Sequence, residues 1–370
     1  MKLSFLARNL WYLMVLGEIH FQFDRIPLVA RNVTGAKRRN LFRIALNRLL
    51  PVSRAIGRPY MAHISPAGLC DLACTNCPTR DKTIRGRQLL SYDTFRKFID
   101  EAGDTLLYVI LWSWGEPTLN PDLPKMTRYA KEKGILTVSS TNLNRLTPAY
   151  ARDLATSGMD ALIIAADGAT AESYLKYRKG GDFERLKDNI RLLVKAKKEA
   201  GVETPLLNLR MVVSKDNEHQ VEDFREMGRS LGVDMISFKA FSTRQSGREN
   251  PAIDRRFAPK TKAFRWYRYR DEFHTDKRLK QYRCRFPWTK PTLFADGMVI
   301  SCEFDMKYEA PFGNINEQSF DEIWFGDKAR RFRKAFQKNR DQFDFCRDCV
   351  YDYTTFEGCV LDTEMLNDRE

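Results

Sequence analysis

Three cysteines stand close together near the start of the chain, in the stretch GLCDLACTNCPTR. Cys70, Cys74 and Cys77 have the spacing C-x3-C-x2-C. Three thiols on one short loop cannot all pair as disulfides, and a structural zinc site requires four protein ligands. A cubane iron–sulfur cluster has four irons, so three thiolates leave one iron open to a small chelating molecule. The spacing therefore predicts a metal cluster with one vacant coordination position.

Five further cysteines follow in the last part of the chain. Eight cysteines among 370 residues are too few for a disulfide scaffold. Their grouping is typical of metal ligation in a reducing cytoplasm. Four thiolates can hold either an iron–sulfur cluster or the zinc of a zinc ribbon, and the residues alone leave both open. The second group consists of Cys284, Cys302, Cys346, Cys349 and Cys359.

From Tyr60 onwards, short apolar runs alternate with amphipathic stretches such as SYDTFRKFIDEAG and DFERLKDNIRLLVKAKKEAG, which predict helices. Near-continuous apolar runs are typical of strands in a parallel sheet. Short right-handed connections close such units into a partial barrel, whose working site lies at the carboxyl ends of the strands. The three-cysteine loop follows the first strand and so lies at this edge. The predicted strands are YMAHISP, LLYVILWS, ILTVSS, ALIIAA, LLNLRMVV and MISFKAF.

A C-x3-C-x2-C loop after the first of six β/α units resembles the radical S-adenosylmethionine (SAM) superfamily. The resemblance implies an α/β fold, a partial (β/α)6 TIM-like barrel, with a [4Fe–4S] cluster held by Cys70, Cys74 and Cys77. It also implies that SAM binds the open iron through its amino and carboxylate groups. An electron from a donor such as flavodoxin or ferredoxin then cleaves SAM to a 5′-deoxyadenosyl radical, which abstracts a substrate hydrogen.

Residues at the ends of the following strands fit the same resemblance. WSWGEP is similar to the Gly-Gly-Glu-Pro stretch that receives the SAM ammonium group in this family, although Trp114 replaces the first glycine. SSTN lies where the family contacts the SAM ribose and carboxylate, and KYRKGGDF supplies an arginine for that carboxylate. Asn76 stands where an aromatic residue usually contacts adenine, so that contact is expected elsewhere. The predicted SAM-binding residues are Gly115, Glu116, Pro117, Ser140, Asn142 and Arg178.

The second cysteine group resembles the SPASM/twitch extension of radical SAM enzymes. Seventeen residues separate Cys284 from Cys302, with Gly297 five positions before Cys302, and a C-x2-C pair follows. An Asp-Gly turn predicts a hairpin before Cys302, and SFDEIW predicts a short capped helix. The resemblance implies one auxiliary [4Fe–4S] cluster that accepts or relays electrons. Its implied ligands are Cys284, Cys302, Cys346 and Cys349, with Cys359 either a spare buried thiol or a replacement for one of them.

The formal charge of +14 is concentrated in two stretches of the chain. Residues 1–60 hold eleven Lys and Arg against two acidic residues, and residues 255–285 hold twelve against three. Such patches attract the phosphates of nucleic acid, anionic lipid or a phosphorylated substrate. The predicted division is a basic amphipathic helical extension over 1–58, the barrel over 59–242, a basic aromatic linker over 243–280 and the auxiliary cluster domain over 281–370.

The first 58 residues are predicted to form two helical stretches. One of them, NLFRIALNRLLP, has an apolar face flanked by Arg43 and Arg48. This helix either packs on the domain behind it or rests on an anionic membrane, and both readings remain open. Arg8 interrupts the opening apolar run, so neither a signal peptide nor a spanning segment is evident. The sequence thus predicts a cytoplasmic protein, with peripheral contact at the inner face of the membrane as an open alternative.

An auxiliary electron acceptor favours a net oxidation or a radical bond formation, so we expect an oxidoreductase or transferase. The basic N-terminal helix favours a lipid-linked, glycolipid or nucleotide-linked small molecule as substrate. A peptide maturase of the RiPP or sulfatase type and a soluble aminocyclitol or sugar dehydrogenase are the alternatives. A cysteine-cluster protein that binds nucleic acid is disfavoured, because no recognised nucleic-acid module is present.

Four residues near the ends of the predicted strands are candidates for proton handling: Asp167, Asn208, Arg210 and Lys239. Asn208 and Arg210 share one face of their strand and are expected to point into the barrel lumen. The alternative is that such residues form salt bridges that line the lumen. His63, on the first strand, is expected to be a core residue with satisfied hydrogen bonds.

Overall fold

The computed structural model describes residues 9, 11–50, 52–80, 84–242, 251–265, 269–271, 274–275, 284–347, 349–350 and 359–366. Its strands are β1 (Ile19–Phe23), β2 (Ile26–Ala30), β3 (Met61–Ile64), β4 (Tyr108–Ile110), β5 (Leu136–Thr141), β6 (Ala161–Ala165), β7 (Leu206–Val213), β8 (Met235–Ala240), β9 (Tyr269–Asp271), β10 (His274–Thr275), β11 (Thr292–Leu293), β12 (Met298–Ile300), β13 (Pro311–Asn314) and β14 (Val360–Met365). Its α-helices are α1 (Gly35–Leu49), α2 (Tyr92–Ala102), α3 (Leu123–Glu132), α4 (Pro148–Ala155), α5 (Ala171–Tyr177), α6 (Phe183–Glu199), α7 (Val221–Leu231), α8 (Pro251–Phe257), α9 (Phe286–Thr289), α10 (Phe320–Phe325), α11 (Asp327–Lys338) and α12 (Asp344–Arg347).

The centre of the fold is a parallel sheet with the order β3-β4-β5-β6-β7-β8. These strands fall within the six apolar runs that predict strands. The strand order follows the chain order, as it does when each strand returns through a helix to the next position. The structure confirms the α/β fold class, a partial barrel of parallel strands.

The connecting helices begin where side chains can satisfy their free backbone N–H groups. Ser91 caps α2 by accepting a hydrogen bond from the backbone N–H of Thr94. Asp182 caps α6 in the same way through the N–H of Arg185. On α2, Phe95 and its neighbours at helical spacing are buried against the sheet. Capping and an apolar stripe together fix where these helices start and which face they bury.

Successive residues of the central strands point to opposite faces of the sheet. On β7, Leu207 and Leu209 belong to the core shared with the helices, whereas Leu206 belongs to a second core inside the barrel. Asn208 and Arg210 continue the face of Leu206 and are buried there. Their predicted position inside the barrel is thereby confirmed.

The prediction of a purely helical extension over residues 1–58 is wrong in one part. β1 and β2 form an antiparallel hairpin, turned by Asp24 and Arg25, which both have positive φ. Its residues Ile26 and Leu28 join the inner core with strand residues such as Val138. Alternating burial along β2 has the two-residue period of a strand. Filling the inside of the barrel stabilises this hairpin, which a short alternating run could not do alone.

The other predicted N-terminal helix exists as α1, which Thr34 caps. Asn40 and Asn47 hold its inner face, since their amide groups donate to the backbone carbonyls of Arg58 and Arg54. Phe42 lies on the opposite face and is 67% exposed. The helix therefore packs on the following loop through one face and leaves an apolar, basic face open to solvent.

The C-terminal strands extend the same sheet at both ends. β11 pairs in parallel with β3 and continues through β12 to β13, while β14 pairs antiparallel with β8. The Asp-Gly turn, with Gly297 at positive φ, confirms the predicted hairpin. Ser319 and Glu322 form a capping box on α10, which confirms the predicted helix over SFDEIW. The twelve-residue helix α11 follows directly and was not predicted.

Much of the basic aromatic linker predicted over 243–280 lies outside the described residues. Its described parts are α8, a short turn over Lys262–Phe264 and the small β9–β10 pair. The four-segment division of the chain stays a prediction. None of the helices in the described ranges has both the length and the apolar content that crossing a bilayer requires.

Candidate functional site

The three-cysteine loop follows β3 and is held by backbone hydrogen bonds to two neighbouring loops. The N–H of Glu116 donates to the carbonyl of Leu69 at 2.7 Å, which joins the loop to the end of β4. The N–H groups of Ala73 and Thr75 donate to the carbonyls of Lys179, just after α5, and of Tyr177, its last residue. Cys70, Cys74 and Cys77 are thus fixed at the carboxyl edge of the sheet, as the sequence predicts.

Gly115 allows the loop after β4 to approach the cysteine loop. A Cβ atom at this position would lie 1.9 Å from the carbonyl oxygen of Ala67. The obstructing atom belongs to the backbone, so no side chain could move aside to make room. The glycine of the GEP stretch is therefore required by close packing of two loops of the site.

Glu116 is buried, and its carboxylate is bound to the neighbouring strand end. Oε1 accepts hydrogen bonds from the side chains of Thr118 (2.7 Å) and Thr141 (2.6 Å), and Oε2 accepts one from the N–H of Asn142 at 2.7 Å. Burial raises the pKa of Glu116, although these hydrogen bonds oppose the shift. The carboxylate joins the ends of β4 and β5, so its geometry supports a positioning role beside the predicted SAM contact.

Asn142 and Ser140 lie at the end of β5, with different surroundings. The Asn142 side-chain amide donates to Asp71 Oδ1 at 2.9 Å and lies 3.7 Å from Cys70 Sγ. Ser140 is half-buried and follows Val138 by two residues, so it faces the inside of the barrel. Both predicted residues thus stand at the same edge as the cysteine loop, and Asn142 touches it.

Arg178 and Asp167, predicted for different roles, form one buried ion pair. Arg178 Nε donates to Asp167 Oδ2 at 2.6 Å, and Arg178 Nη1 lies 3.8 Å from Cys74 Sγ. The N–H of Val212 donates to the other carboxylate oxygen of Asp167. Burial disfavours the charged guanidinium, but Asp167 and the Cys74 thiolate outweigh it and raise the pKa of Arg178. Asp167 therefore holds Arg178 against the cysteine loop.

The donor set of this loop fits an iron–sulfur cluster with three protein ligands. Burial raises the pKa of Cys70 to about 12 and also raises that of Cys74, so lone thiolates would be costly there. Metal coordination deprotonates a thiol outright and removes this cost. Among the residues described, no three Cys, His, Asp or Glu side chains surround a single metal ion. In a cubane each thiolate binds a different iron. The lack of a site for a single metal ion therefore does not bear on whether the three cysteines hold a cluster.

Four C-terminal cysteines line one small apolar cavity. Burial raises the pKa values of Cys284, Cys302 and Cys346, which makes the set unfavourable as free thiolates and suited to metal. Cys359 does not line this cavity and instead lies in the wall of a larger one. The small cavity is lined by Cys284, Cys302, Cys346 and Cys349 together with Phe286, Pro287, Ser301, Phe332, Phe336, Arg340 and Phe345.

The larger cavity has a volume of about 210 Å³ and is lined by the stretch after β4 and by residues next in sequence to Cys302 and Cys349. Trp114, beside the GEP stretch, spans it by donating from Nε1 to the backbone carbonyl of Glu303 at 2.6 Å. Glu303 follows Cys302 directly in the chain. We call this space the central cavity. Its walls are formed by Phe23, Asp24, His63, Ile110, Trp112, Ser113, Trp114, Lys239, Ser242, Lys290, Glu303, Phe304, Val350 and Cys359.

The inner end of the central cavity carries a buried ion network that the sequence only partly predicts. Asp24 Oδ2, in the N-terminal hairpin, lies 2.6 Å from Arg210 Nη1 and 3.2 Å from Lys239 Nζ. Asn208 accepts a hydrogen bond from Ser237, which in turn accepts one from Arg210 Nε. The predicted alternative of a salt-bridged lumen therefore describes Arg210. Lys239 also borders the cavity, with 28% of its side chain exposed.

The expectation that His63 is a satisfied core residue is wrong. Its side chain borders the central cavity, and neither ring nitrogen has a partner at hydrogen-bonding distance. Nδ1 lies 3.6 Å from Glu303 Oε1, and Lys290 Nζ binds both oxygens of Glu303 at 2.8 and 2.7 Å. Sequence reasoning missed Glu303 and Lys290. The adjacency of Glu303 to Cys302 was the one available signal, whereas β11 brings Lys290 beside β3 only in the folded chain.

Asn76, where the family usually has an aromatic residue, contacts the far end of the barrel. Its side-chain amide donates to the backbone carbonyl of Ser242 at 3.2 Å. Aromatic rings are nevertheless close, because Tyr177, whose carbonyl binds the cysteine loop, packs edge-on against Phe241 and Phe257. These rings are candidates for the adenine contact that the sequence leaves unassigned.

Comparison with known proteins matches two parts of this chain to family models. Residues 64–228 match the radical SAM superfamily, and residues 284–350 match the SPASM iron-sulfur cluster-binding domain. An AdoMet-dependent heme synthase of Methanosarcina barkeri is 28% identical over 72% of this chain and 81% of the relative. A tungsten-containing aldehyde ferredoxin oxidoreductase cofactor-modifying protein of Pyrococcus furiosus is 26% identical over 76% of this chain and 84% of that protein.

A similar fold is found among solved structures. Streptococcus suis SuiB, bound to its precursor peptide SuiA, superposes with a TM-score of 0.57 over 87% of this chain and 74% of that chain. The sequence identity is 16%, so this likeness concerns the fold alone. It places the partial barrel and the C-terminal extension in one known architecture.

Proposed function

Because this chain belongs to the radical SAM superfamily and carries a C-terminal SPASM iron–sulfur domain, we propose that it oxidises, or forms a bond to, a small group carried on a lipid-linked, glycolipid or nucleotide-linked molecule. The reaction would remove a hydrogen atom from carbon, and a cluster held by the C-terminal cysteines would supply an acceptor for the electron that a net oxidation releases. The enzyme is then an oxidoreductase, or a transferase where the substrate radical forms a new bond. A flavodoxin or ferredoxin supplies the reducing electron.

The radical SAM domain binds a [4Fe–4S] cluster and SAM, and the SPASM domain binds auxiliary iron–sulfur clusters. When bound, SAM and the reduced cluster supply a carbon radical that abstracts hydrogen. We assign the first cluster to Cys70, Cys74 and Cys77, whose loop is fixed at the sheet edge. We assign one auxiliary cluster to Cys284, Cys302, Cys346 and Cys349, which share one cavity, and leave Cys359 outside the ligand set.

The neighbouring side chains orient SAM and shield it from water. The backbone of Gly115, Glu116 and Pro117 faces the cysteine loop and is assigned to the SAM ammonium group. Asn142 and Arg178, at 3.7 and 3.8 Å from cysteine sulfurs, are assigned to the carboxylate of SAM. Ser140, on the inner face of β5, is assigned to the ribose. Asp167 and the Glu116 carboxylate act as positioning groups through their hydrogen bonds.

The observation that supports the proposal is the central cavity, which is lined both by Trp114 beside the GEP stretch and by the sequence neighbours of Cys302 and Cys349. A substrate held there is close to the edge that generates the radical and also to Glu303, which follows Cys302 in sequence. The cavity volume of about 210 Å³ is below that of pockets which hold drug-sized ligands, so the cavity suits one small chemical group. Only the reacting part of a lipid- or nucleotide-linked substrate would enter, and its carrier would remain outside.

An exposed apolar surface near the N-terminus supports a lipid-linked carrier. The turn Tyr12–Leu16 is joined to the start of α1, since Val33 binds the Gly17 carbonyl and Arg38 binds the Val33 carbonyl. Phe42 and Leu49 on α1 are 67% and 78% exposed. We call the exposed set the N-terminal apolar face: Trp11, Met14, Val15, Leu16, Phe42, Leu49 and Leu50.

Basic residues in the same part of the chain favour a negatively charged surface as the partner of this face. Residues 1–60 carry eleven Lys and Arg against two acidic residues. Exposed aromatic and aliphatic side chains beside arginines are the composition of interfacial segments that lie on anionic lipid. We therefore propose that the N-terminal apolar face rests on an anionic bilayer at the inner face of the membrane. This position would bring the protein to a substrate whose carrier is a lipid.

The names of the relatives do not by themselves decide the substrate, because a heme synthase and a cofactor-modifying protein act on different molecules. The discriminating experiment uses extracts of cells grown in deuterated medium, separated into lipid, aqueous and peptide fractions. Holoenzyme, SAM and dithionite are added, and 5′-deoxyadenosine is analysed by mass spectrometry. Deuterium from the lipid fraction supports the proposal, and deuterium from the nucleotide part of the aqueous fraction supports its nucleotide-linked form. Deuterium from the peptide fraction alone contradicts it.

Two cysteine variants control this experiment. Cys70→Ala removes one assigned ligand of the first cluster and should abolish 5′-deoxyadenosine formation. Cys359→Ala also removes a buried cysteine, one outside both assigned ligand sets. Because Cys359 borders the central cavity, the comparison uses SAM cleavage by reduced enzyme without substrate, which this variant should retain. Equal loss of activity in both variants would contradict the ligand assignment.

A further inference from the structure

His63 combines burial with free hydrogen-bonding capacity. It lies on β3, facing the inside of the barrel, and its side chain is 8% exposed. Neither ring nitrogen has a partner at hydrogen-bonding distance, although both are inaccessible to bulk water; the nearest polar groups are the Glu303 carboxylate and the backbone of Trp112. Buried polar groups are nearly always paired, so an unpaired imidazole beside a cavity indicates a partner that enters the cavity.

The surroundings of His63 orient its ring. The indole of Trp112 packs edge-on against the imidazole, with ring centroids 5.8 Å apart. On the Nδ1 side stands Glu303 Oε1, 3.6 Å away, and Lys290 binds both oxygens of that carboxylate. A small shift brings Nδ1–H within hydrogen-bonding distance of Glu303. A carboxylate that accepts from one nitrogen leaves the other nitrogen as an acceptor.

We propose that His63 is a catalytic residue that accepts a proton from a substrate O–H or N–H group bound in the central cavity, with Glu303 and Lys290 as positioning residues. This inference rests on the proposed function and adds to it the chemical class of the reacting group. The substrate is an alcohol or amine whose reacting carbon bears both the heteroatom and the hydrogen that is abstracted.

The other candidates around the cavity are less suited to accept a proton. Asp24 is bound by Arg210 and Lys239, and Lys239 is a cation held by that same carboxylate. Asp167 is paired with Arg178 outside the cavity. Burial lowers the pKa of His63, an effect that nearby Lys290 reinforces and Glu303 opposes, so the ring is neutral near pH 7. A neutral imidazole with a free nitrogen can accept a proton near neutral pH. The Asp24 carboxylate also has an oxygen, Oδ1, without a partner, but the two cations on Oδ2 outweigh burial and lower the pKa of Asp24, so it is the weaker base.

The proton transfer completes the oxidation in chemical terms. The heteroatom–hydrogen bond breaks, its proton goes to His63 Nε2, and its electron pair stays on the substrate. Together with the loss of one hydrogen atom from the neighbouring carbon and one electron to an iron–sulfur acceptor, this leaves a carbon–heteroatom double bond. In a bond-forming reaction the same proton would leave a nucleophilic heteroatom. General bases of this kind contribute about 10²- to 10⁴-fold to a rate.

The test compares His63→Gln with His219→Gln, which changes a histidine on the exposed surface of the barrel. Each holoenzyme receives SAM, dithionite and the deuterated extract fraction that supports turnover by the wild type. Deuterium in 5′-deoxyadenosine measures hydrogen abstraction, and the oxidised product is measured separately. We expect His63→Gln to retain hydrogen abstraction and iron content while forming about 100-fold less product. His219→Gln should match the wild type in all measurements.

The pH dependence separates catalysis from a structural role. Product formation by the wild type should rise with pH as His63 loses its proton, and this limb should be missing from His63→Gln. A His63→Gln enzyme with wild-type product formation and the same pH profile would contradict the inference. If the wild type transfers no deuterium from any fraction, the proposed function fails instead. Should His63→Gln lose iron, His63→Asn provides the second variant for the same comparison.

A binding measurement needs no turnover. The chain has four histidines, so imidazole resonances of oxidised holoenzyme can be assigned by the signal that His63→Gln lacks. Adding the same extract fraction without reductant should shift the His63 signal and leave that of His219 in place. An unchanged His63 signal at concentrations that saturate turnover would contradict substrate contact.

Discussion

The N-terminal hairpin offers the sharpest test of how the fold builds the central cavity. Asp24, at its turn, contacts Arg210 at 2.6 Å and Lys239 at 3.2 Å. Burial opposes ionisation, but the two cations outweigh it and hold the pKa of Asp24 below its usual value. Asp24→Asn keeps the size of the side chain and removes its charge. Arg210, itself buried, is then left without its anion.

The expected loss of stability follows from these contacts. Breaking a buried ion pair by removing one partner costs about 3–5 kcal/mol. Asn retains an oxygen that can accept from Arg210, and Lys239 is partly exposed and can be screened by water. We therefore expect the lower end, about 3 kcal/mol, which is somewhat more than a hundredfold in the unfolding equilibrium constant. The matched double variant Asp24→Asn, Arg210→Met should recover most of this loss, because no buried cation then lacks a partner.

Urea unfolding of anaerobic holoenzyme, followed by tryptophan fluorescence, measures the effect as a shift of the midpoint at constant slope. Limited proteolysis after Arg25 should accelerate in Asp24→Asn, since the hairpin leaves the barrel more often. The lowered pKa keeps Asp24 charged at neutral pH, so the difference from the wild type should be constant between about pH 6 and about pH 8. A loss below about 1 kcal/mol, or no recovery in the double variant, would refute the reasoning.

Three further variants test the other parts of the site. Iron analysis should give about eight irons per chain for the wild type, about four for Cys302→Ala and about eight for Cys359→Ala; loss of iron from the last variant would return that cysteine to the ligand set. Gly115→Ala forces a Cβ atom to 1.9 Å from the Ala67 carbonyl, so SAM cleavage should fall at least 100-fold while far-ultraviolet circular dichroism stays unchanged, and near-normal cleavage would show that the loops can separate. Phe42→Asp should weaken binding to vesicles of anionic phospholipid about 10- to 100-fold, because an apolar anchor is replaced by a charge that the surface repels. The matched control Leu175→Asp changes an exposed apolar residue on α5, outside the N-terminal apolar face, and should bind like the wild type; equal weakening in both would exclude a specific docking surface.

The cavity connects these predictions to one picture of the molecule. The hairpin closes its inner end, β11 and β12 bring Lys290 and Glu303 to its side, and the cysteine loop lies at the carboxyl edge of the same sheet. Its walls combine aromatic rings with charged side chains that form ion pairs. Among the wall residues, the His63 ring, Ser113 Oγ and Asp24 Oδ1 have no hydrogen-bond partner in this structure. An alcohol or amine with a small reacting group meets these conditions, whereas a large substrate would have to leave most of its mass outside.

Local patterns were sufficient for the cysteine loop and the strands that position it. The C-x3-C-x2-C motif involves only residues that are close together in the chain. Near-continuous apolar runs identify buried parallel strands because both faces of such strands are covered. The same holds for the Asp-Gly hairpin and the capping box on α10, whose residues contact partners only a few positions away. The sequence by itself therefore determined the central sheet and the position of the cysteine loop at its carboxyl edge.

Tertiary structure decided which residues surround the central cavity. Asp24 and Arg210 are 186 residues apart in the chain and Trp114 and Glu303 are 189 apart, yet each pair is in hydrogen-bonding contact. In sequence, the first hairpin is a short apolar stretch, and only the folded barrel shows that it fills the interior. His63 has the sequence context of a core residue, and only the structure shows that it borders a cavity. Periodicity reports whether a side chain is buried but not which distant group it meets, because that depends on how separate elements pack.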